Sequence, residues 1–458
     1  LYFEPLTLED VLNIHDQEQC DGAIVQFGGQ TPLNLAADLE ANGVPIIGTS
    51  PRNIELAEDR KFFSALLEKL NLKQAPSGTA TSKEGALEIA GRIGYPVLVR
   101  PSFVLGGRAM MIVYSDEELA RYMESAVEAS PERPVLVDRY LDGATEVDVD
   151  CISDGETQVV GAIMEHIEEA GIHSGDSACV IPSFSLSEDM QAEIMHAAKA
   201  LARELEVRGL MNIQFAVKDN ELFVIEVNPR ASRTVPFVSK AIGRPMAKMA
   251  ARVMVGVSLK EQGFTEEIIP PHYSVKEAVF PFVRFPGIDI ILGPEMKSTG
   301  EVMGIDSDLG MAYAKSQMAA SAPLPLEGNV FVSVKDRDKP ALKELGTRLQ
   351  ELGFVIYATG GTARVIEEAG VPVNKLAKLA EGRPNVLDMI KNNDVQMLIN
   401  SPADQETRDD EVVIRSSAVA HRIPVMTNMN AALASVRAIA SLQKQELGVQ
   451  PLQDYHPA

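Results

Sequence analysis

Residues 210–230, LMNIQFAVKDNELFVIEVNPR, constrain the fold of this chain more than any other stretch. Two runs of β-branched, aromatic and aliphatic residues flank Asp219-Asn220-Glu221, the pattern of an antiparallel hairpin. Strand side chains alternate, so Glu226 and Asn228 are expected on one face with Val224, and Phe223, Ile225 and Val227 on the other. A three-residue loop sets Lys218 opposite Leu222 and Gln214 opposite Glu226, whereas a two-residue loop sets Gln214 opposite Ile225 and spoils the grouping. Gln214, Glu226 and Asn228 on one face suit a hard, oxygen-seeking cation such as Mg²⁺. Arg230, just past the strand, then stands where it could neutralise a transferring phosphoryl group. Taken alone, the cluster also fits an amphipathic outer strand with solvated polar residues.

The chain has 458 residues, enough for roughly three domains. Lys and Arg number 42 against 65 Asp and Glu, a formal charge of −23. Such a surface repels nucleic acid unless a strong basic patch exists, and no basic run occurs. An anionic ligand must therefore be held by a few placed cations. Cys20, Cys151 and Cys179 are scattered and lack CxxC spacing, which argues for a reducing cytoplasm and against a disulfide framework or zinc site. No apolar run reaches the ~18 residues a membrane span needs. The opening LYFEPLTLEDV lacks a basic and an apolar signal region. It reads as a strand end running into a helix, as if the chain began partway through a domain.

Alternation of strand and helix marks the first segment as doubly wound α/β. GAIVQF (22–27) and VPIIGT (44–49) read as strands, Pro32–Ala41 as a helix, and NIELAEDRKFFSALLEKL as a further helical stretch. Gly28-Gly29 tempt a dinucleotide reading, but GxGxxG is absent and a plain βα turn is the better account. From about residue 75 the pattern becomes α+β. Strands are expected over 95–102, 109–115, 133–141, 145–153 and 157–167, with a hairpin around Asp154-Gly155 and helices over 115–129, N-capped by Ser115, and 187–207. AASAPLPLEGN (319–329) reads as an interdomain linker, and a small α/β domain follows.

Other residues carry charge where chemistry could use it. Arg100 ends the apolar strand PVLV, and Gly106-Gly107 just after it could let a loop close over phosphates. Arg60 opens a helix, where a cation opposes the macrodipole; a ligand anion and a surface salt bridge explain it about equally well. YATGGTARVIEE places Thr359-Gly-Gly-Thr362 between a strand and a helix start, either a phosphate cradle or a tight turn.

In order, Arg60, VLVRPS, GG, DRYLDGATEVDVD, EHIEEAGIHSGDSACVIPS, MNIQFAV and FVIEVNPRASRTVPFVSKA resemble the ATP-grasp superfamily. Within it the match is to the large subunits of carbamoyl phosphate synthetases, and to their C-terminal half. The resemblance covers essentially the whole chain. It implies a partial pre-ATP-grasp Rossmann-like segment at 1–58, an ATP-grasp carbamoyl phosphate synthetic unit at 59–320 and a methylglyoxal-synthase-like allosteric domain at 321–458. The implied reaction is phosphorylation of carbamate by ATP, serving pyrimidine and arginine biosynthesis. Gln214, Glu226 and Asn228 would hold two Mg²⁺ or Mn²⁺ ions, and Arg60, Arg100 and Arg230 would bind phosphates or carbamate, with Arg233 near the acceptor. Gly106 and Gly107 would belong to the phosphate-covering loop. Arg139, Leu141, Glu146, His173 and Ser174 would surround the nucleotide, and Glu146, His166 and Ser177 fall in segments matching a K⁺ site. Lysine is common in the superfamily at the position of Arg100, and arginine there suits the synthetases rather than biotin-dependent carboxylases.

The same resemblance assigns Ser333, Lys339, Thr359, Thr362, Lys378 and Asn400 to a nucleotide monophosphate, UMP or IMP. The Gly-Gly-Asp run of true methylglyoxal synthases is replaced by EGRPNVLD (381–388), so this domain is expected to regulate rather than catalyse. Glu168, Asp176, Glu277 and Thr427 match an ornithine site, though scattered acids alone would look the same. The implied partners are a first synthetase copy, a glutaminase small subunit and, as an open matter, a second copy of the chain. No Ser-His-Asp or Cys-His set is present, as phosphoryl transfer between small molecules requires none. Two other readings stand beside this one. One is a non-catalytic allosteric and oligomerisation module that only binds nucleotide; the other is a different ATP-grasp carboxylate–amine ligase.

Overall fold

The computed structural model describes all residues except 102–109, 130–133, 403–407 and 457–458. The chain divides into two compact units, residues 1–165, 181–270 and 451–458 in the first, and 166–180 with 271–450 in the second. Among the described residues, no helix is long and apolar enough to cross a membrane.

In the first unit, strands Lys73–Gln74, Glu221–Asn228, Gly209–Lys218, Thr145–Ser153 and Gln158–His166 lie side by side in that order. One face is apolar: Val147, Val149, Ile213, Phe215, Leu222, Val224 and Val227 pack with Met190, Ile194, Ala197, Ala198 and Leu201 of the helix Glu188–Glu204. Ser187 caps that helix by accepting from the Met190 amide at 3.2 Å. The other face carries polar residues in two cross-strand rows, Glu226–Gln214–Asp148 and Asn228–Asn212–Asp150. A four-stranded sheet, Ser77–Ala80, Val135–Arg139, Val97–Pro101 and Met111–Val113, forms its own core with Ala86, Ala90, Leu119 and Met123. Ser115 caps the helix Asp116–Ala129 as expected, its hydroxyl accepting from the Glu118 amide.

The hairpin corrects the expected register. Glu221 pairs with Lys218, so the loop has two residues, not three. Asp219 and Asn220 both take positive φ, 51° and 61°, the backbone a type I′ turn requires. A shift between Val224 and Glu226 then leaves Ile225 bulged, 44% exposed, and restores Glu226 opposite Gln214. The predicted pairing is therefore present for a different reason. The expected faces are wrong as well: Leu222, Val224 and Val227 are buried, and Glu226 and Asn228 lie on the opposite face. Glu226 and Asn228 share the even numbering of Leu222 and Val224, so a bulge-free strand would drive both into the apolar core.

The strands expected at 22–27 and 44–49 shrink to a single parallel bridge between Ala23 and Ile46. Past that bridge the two segments bond elsewhere. The Gln26 carbonyl accepts from the Ala231 amide at 2.9 Å, and the Thr49 amide donates to the Gln26 side chain at 3.0 Å. The expected helical stretch after residue 50 is broken at Asp59, whose backbone is extended. Asp59 caps the helix Arg60–Lys69 by accepting from the Lys61 and Phe62 amides. The expected helix over 32–41 is likewise split at Leu35, into Gln30–Asn34 and Ala36–Ala41.

The second unit contains a parallel five-stranded sheet in the order Asn374–Leu376, Val355–Thr359, Asn329–Ser333, Met397–Asn400 and Val425–Met426. Helices cover it, with Val330, Val332, Ile356, Leu342, Leu345, Val436 and Ile439 in one core and Phe331, Leu398, Ile390 and Ala418 in another. Burial on both sides explains the near-continuous apolar runs of these strands. The antiparallel pair Tyr273–Val279 and Gly300–Asp306 also belongs to this unit. Between the helix Leu309–Ala319 and the strand Asn329–Ser333, residues 320–328 hold no helix or strand.

Candidate active site

The polar face of the hairpin gathers the first candidate set. The Asn228 amide donates to Glu226 Oε1 at 2.7 Å, and Arg230 Nη2 donates to Asn228 Oδ1 at 3.3 Å. Arg230 Nη1 reaches the Ala231 carbonyl at 3.3 Å, while Arg230 Nε is buried without a hydrogen-bond partner. Gln214 sits directly across from Glu226. Carboxylate and amide oxygens in one place form a donor set that fits a hard divalent cation, and the buried Nε is a donor lacking an acceptor.

Arg230 and Arg233 stand on a loop, 229–234, held at both ends. Upstream, Gln26 Nε2 donates to the Pro229 carbonyl at 2.6 Å, and the Gln26 carbonyl accepts from the Ala231 amide. Downstream, the buried Asp150 carboxylate accepts from Ser232 Oγ and Thr234 Oγ1, each at 2.8 Å, and from the Asn212 amide at 2.9 Å. Burial pushes the Asp150 carboxyl up to about 6, against the pull of those three donors. Arg233 itself is exposed.

Arg60 and Arg100 share a partner that sequence reasoning missed. Both Asp138 oxygens accept from Arg60 at 3.0 Å, a bidentate pair, and Arg100 Nε lies 3.5 Å from Asp138 Oδ2. The strand register explains this: Arg100 pairs with Leu136 and Asp138 with Leu98, a diagonal that puts Arg100 and Asp138 on one face. The salt-bridge account of Arg60 is thus realised. An acid at a diagonal strand position was the signal available for Asp138, but it needed the register of Val97–Pro101 against Val135–Arg139. Gly106 and Gly107 lie outside the described residues.

The expected nucleotide set is divided between the units. Arg139, Leu141 and Glu146 belong to the first; Arg139 Nη1 donates to the Ile93 carbonyl at 3.3 Å. His173 and Ser174 belong to the second, where the Gly293 carbonyl accepts from the His173 amide. His173 Nδ1 accepts from the Gly175 amide at 3.0 Å, which puts the proton of the neutral ring on Nε2. The expected K⁺ residues are divided too, Glu146 in the first unit and His166 and Ser177 in the second.

Within the second unit, Glu168 and Glu277 are buried with Lys276. Burial raises the Glu168 carboxyl, and burial followed by the nearby Glu168 charge pushes Glu277 up to about 8. Glu277 Oε2 accepts from Gln317 at 2.7 Å, and Lys276 donates to the Ser174 carbonyl. Asp176 differs from these two, because the Lys297 and Ser298 amides take both its oxygens. Thr427 lies between the strand Val425–Met426 and the helix Met429–Lys444.

The effector candidates collect at the carboxyl ends of parallel strands, where α/β sheets bind ligands. Ser333 is in register with Asn400, and the Asn400 amide donates to the Ser333 carbonyl at 3.0 Å. Thr359 ends its strand and stands at the N-terminus of the helix Gly360–Glu368 without using its side chain as a cap. Thr362 is buried and accepts from the Val334 amide, and a Cβ on Gly361 would meet Lys339 Nζ at 3.0 Å. Lys378 follows the edge strand Asn374–Leu376. Arg415, fully buried, was missed by the sequence reading: it donates to Asn400 Oδ1 at 2.8 Å and pairs with Asp289 through two bonds of 2.9 Å.

Comparisons with known proteins identify the domains in which these residues lie. Residues 1–56 match the family described as carbamoyl phosphate synthase preATP-grasp domain, 59–262 the carbamoyl-phosphate synthase L chain ATP binding domain, and 341–427 the MGS-like domain. The chain is 52% identical to the C-terminal section of the carbamoyl phosphate synthase large chain of Aquifex aeolicus, over all of this chain and 89% of that one. It is 53% identical to the large chain of Archaeoglobus fulgidus and 55% identical to that of Pseudomonas aeruginosa, spanning in each case 42% of the longer protein. The biotin carboxylase domain of Hydrogenobacter thermophilus 2-oxoglutarate carboxylase superposes with a TM-score of 0.57 at 18% identity, covering 70% of this chain and 79% of that chain. Biotin carboxylase from Campylobacter jejuni gives 0.51 at 18% identity over 60% and 63% of the two chains. These solved structures share the ATP-grasp fold with the chain. With domain matches in the order its motifs suggested, and relatives more than half identical along its whole length, the chain belongs to the carbamoyl phosphate synthase large-chain family of ATP-grasp ligases and corresponds to its C-terminal section.

Proposed function

We propose that this chain transfers the γ-phosphoryl group of ATP to carbamate, giving carbamoyl phosphate and ADP. The observation that carries the reading is the bulged hairpin, which brings Gln214 and Glu226 face to face and sets Asn228 and Arg230 beside them. Gln214, Glu226 and Asn228 would hold divalent cations, Mg²⁺ or Mn²⁺. Such ions supply charge neutralisation between the phosphates of the nucleotide. Arg230, with its unpartnered Nε, is suited to an oxyanion of carbamate or of the moving phosphoryl group. Arg60 and Arg100 are oriented by Asp138 and take phosphate oxygens in exchange for part of that pairing. No covalent protein nucleophile is required, because positioning and charge stabilisation account for most of the catalysis of phosphoryl transfer.

In this reading the chain carries one of two synthetic units of a larger cytoplasmic enzyme, and it depends on a first unit and a glutaminase for its carbamate. K⁺ is assigned to Glu146, His166 and Ser177. The C-terminal α/β domain binds UMP or IMP at Ser333, Lys339, Thr359, Thr362, Lys378 and Asn400. Ornithine binds at Glu168, Asp176, Glu277 and Thr427, where buried carboxylates suit a cationic amino acid.

The test is ATP formation from carbamoyl phosphate and MgADP with K⁺ present, with and without UMP or ornithine. ATP formation that either effector alters supports both parts of the reading. A folded chain that binds MgADP but makes no ATP would instead indicate a nucleotide-binding regulatory module.

A further inference from the structure

Gln26 lies in the first segment, 203 residues before the Pro229 carbonyl it bonds, and is 0% exposed. Its side chain uses both amide protons and its carbonyl oxygen. Oε1 accepts from the Thr49 amide at 3.0 Å, and the two protons of Nε2 go to Thr49 Oγ1 at 3.2 Å and the Pro229 carbonyl at 2.6 Å. The amide therefore has one orientation: turned over, its NH₂ would face the N–H of Thr49 and its oxygen would face two oxygens. Thr49 is fixed in turn, since its hydroxyl accepts from the Arg208 amide at 3.0 Å and donates to the Arg208 carbonyl at 3.3 Å. The Gln26 main chain adds the bond from the Ala231 amide. One buried residue thus grips the peptide units on both sides of Arg230.

We propose that Gln26 is a positioning residue for Arg230, and that the first segment completes the active site by holding the backbone of that arginine instead of its charge. This rests on the carbamate-phosphorylating reading only for the size of the catalytic effect. The Arg230 guanidinium has few holds of its own, single bonds of 3.3 Å to Asn228 and Ala231 and an unpartnered Nε. A side chain held so lightly depends on its backbone for its aim. Displacement of a positioning contact by about 1 Å can cost on the order of 100-fold in rate. Downstream, Asp150 grips Ser232 and Thr234, so without the Gln26 side chain the upstream hold falls to the main-chain bond from the Ala231 amide.

Gln26→Leu removes all three side-chain bonds at similar volume. In hydrogen exchange read by mass spectrometry, peptides covering 229–234 should exchange several-fold faster in this variant, while those covering 210–218 keep the wild-type rate. Unchanged exchange at 229–234 overturns the proposal whether or not the chain turns over, so an inactive wild type would count against the catalytic reading alone. In the ATP-forming assay, Gln26→Leu should lower kcat roughly 10- to 100-fold with the KM for MgADP within about twofold. In an Arg230→Lys background the same change should cost less than about threefold, since a residue that acts through Arg230 loses its means of acting. Equal losses in both backgrounds would mean that Gln26 works elsewhere and would overturn the assignment. If Gln26→Leu does not fold, Thr49→Val, which takes away one Nε2 partner, should show the same pattern at smaller size.

Discussion

Two groups of arginines in the first unit are held by opposite means. Arg60 and Arg100 are held by charge, through the shared carboxylate of Asp138. Arg230 is held by its backbone, between Gln26 and the Asn228 end of a bulged strand. An arginine already paired with a carboxylate is pre-aimed but partly neutralised, and an arriving phosphate must compete for it. An arginine held by its peptide units keeps its positive charge for whatever anion arrives. The first arrangement suits ground-state binding of a nucleotide, and the second suits an oxyanion that develops during reaction.

Arg230→Ala tests the second half of that contrast and carries the largest expected effect. The ATP-forming kcat should drop by roughly 10²- to 10³-fold, with the KM for MgADP changed little. A loss confined to KM would erase the distinction. Asp138→Asn should have the reverse signature: the KM for MgADP rises about three- to tenfold, kcat stays within about threefold, and the salt dependence of binding steepens. The pair is partly exposed, so little change in melting temperature is expected.

Asp150→Asn asks whether the downstream tether works through its charge. The Asp150 carboxyl is raised to about 6 in the folded state from an ordinary value of 3.8. Between those values the folded protein keeps a proton that the unfolded chain has lost, so this contribution to stability is full below the lower value and lost as pH rises through the upper one. Asparagine should flatten that slope in thermal melts from pH 4 to 7 and lower kcat by about tenfold or less. An unchanged slope would show that Asp150 is ionised throughout.

Glu277→Gln carries the smallest effect and serves as a control in the second unit. Its carboxyl is raised to about 8 from 4.5, so wild-type stability should fall as pH climbs between those values. The variant should gain on wild type by about 1 kcal/mol or more at pH 8, roughly 2–4 °C in Tm, and by little at pH 5. The ATP-forming kcat without effectors should stay near wild type. Equal shifts at both pH values would rule out a buried proton at this site.

Legibility in the sequence followed the same division between local and distant causes. The hairpin, the helix cap at Ser115 and the α/β character of the C-terminal domain were readable, because alternation, capping residues and apolar runs are local signals. The grouping of Gln214 with Glu226 was also expected, yet through a three-residue loop that does not exist. A two-residue turn and a bulge at Ile225 give the same pairing, and nothing in IEVN marks where the extra residue falls. The strands at 22–27 and 44–49 were over-read, because the hydrogen bonds of Gln26 and Thr49 go to residues around 208 and 229–231. Asp138, Asp150, Arg415 and Gln26 were missed for one reason: each owes its place to a partner distant in sequence.

Gly48 shows how far such a dependence reaches into the reading of natural variation. Its φ is +117°, and a Cβ built there would come within 2.2 Å of Gln26 Oε1. A change to alanine would be scored by composition as mild and by distance along the chain as remote from Arg230. It would nevertheless crowd the side-chain amide that holds the carbonyl just before that arginine. An allele carrying it would present as a catalytic defect in a protein whose recognised site residues are all intact.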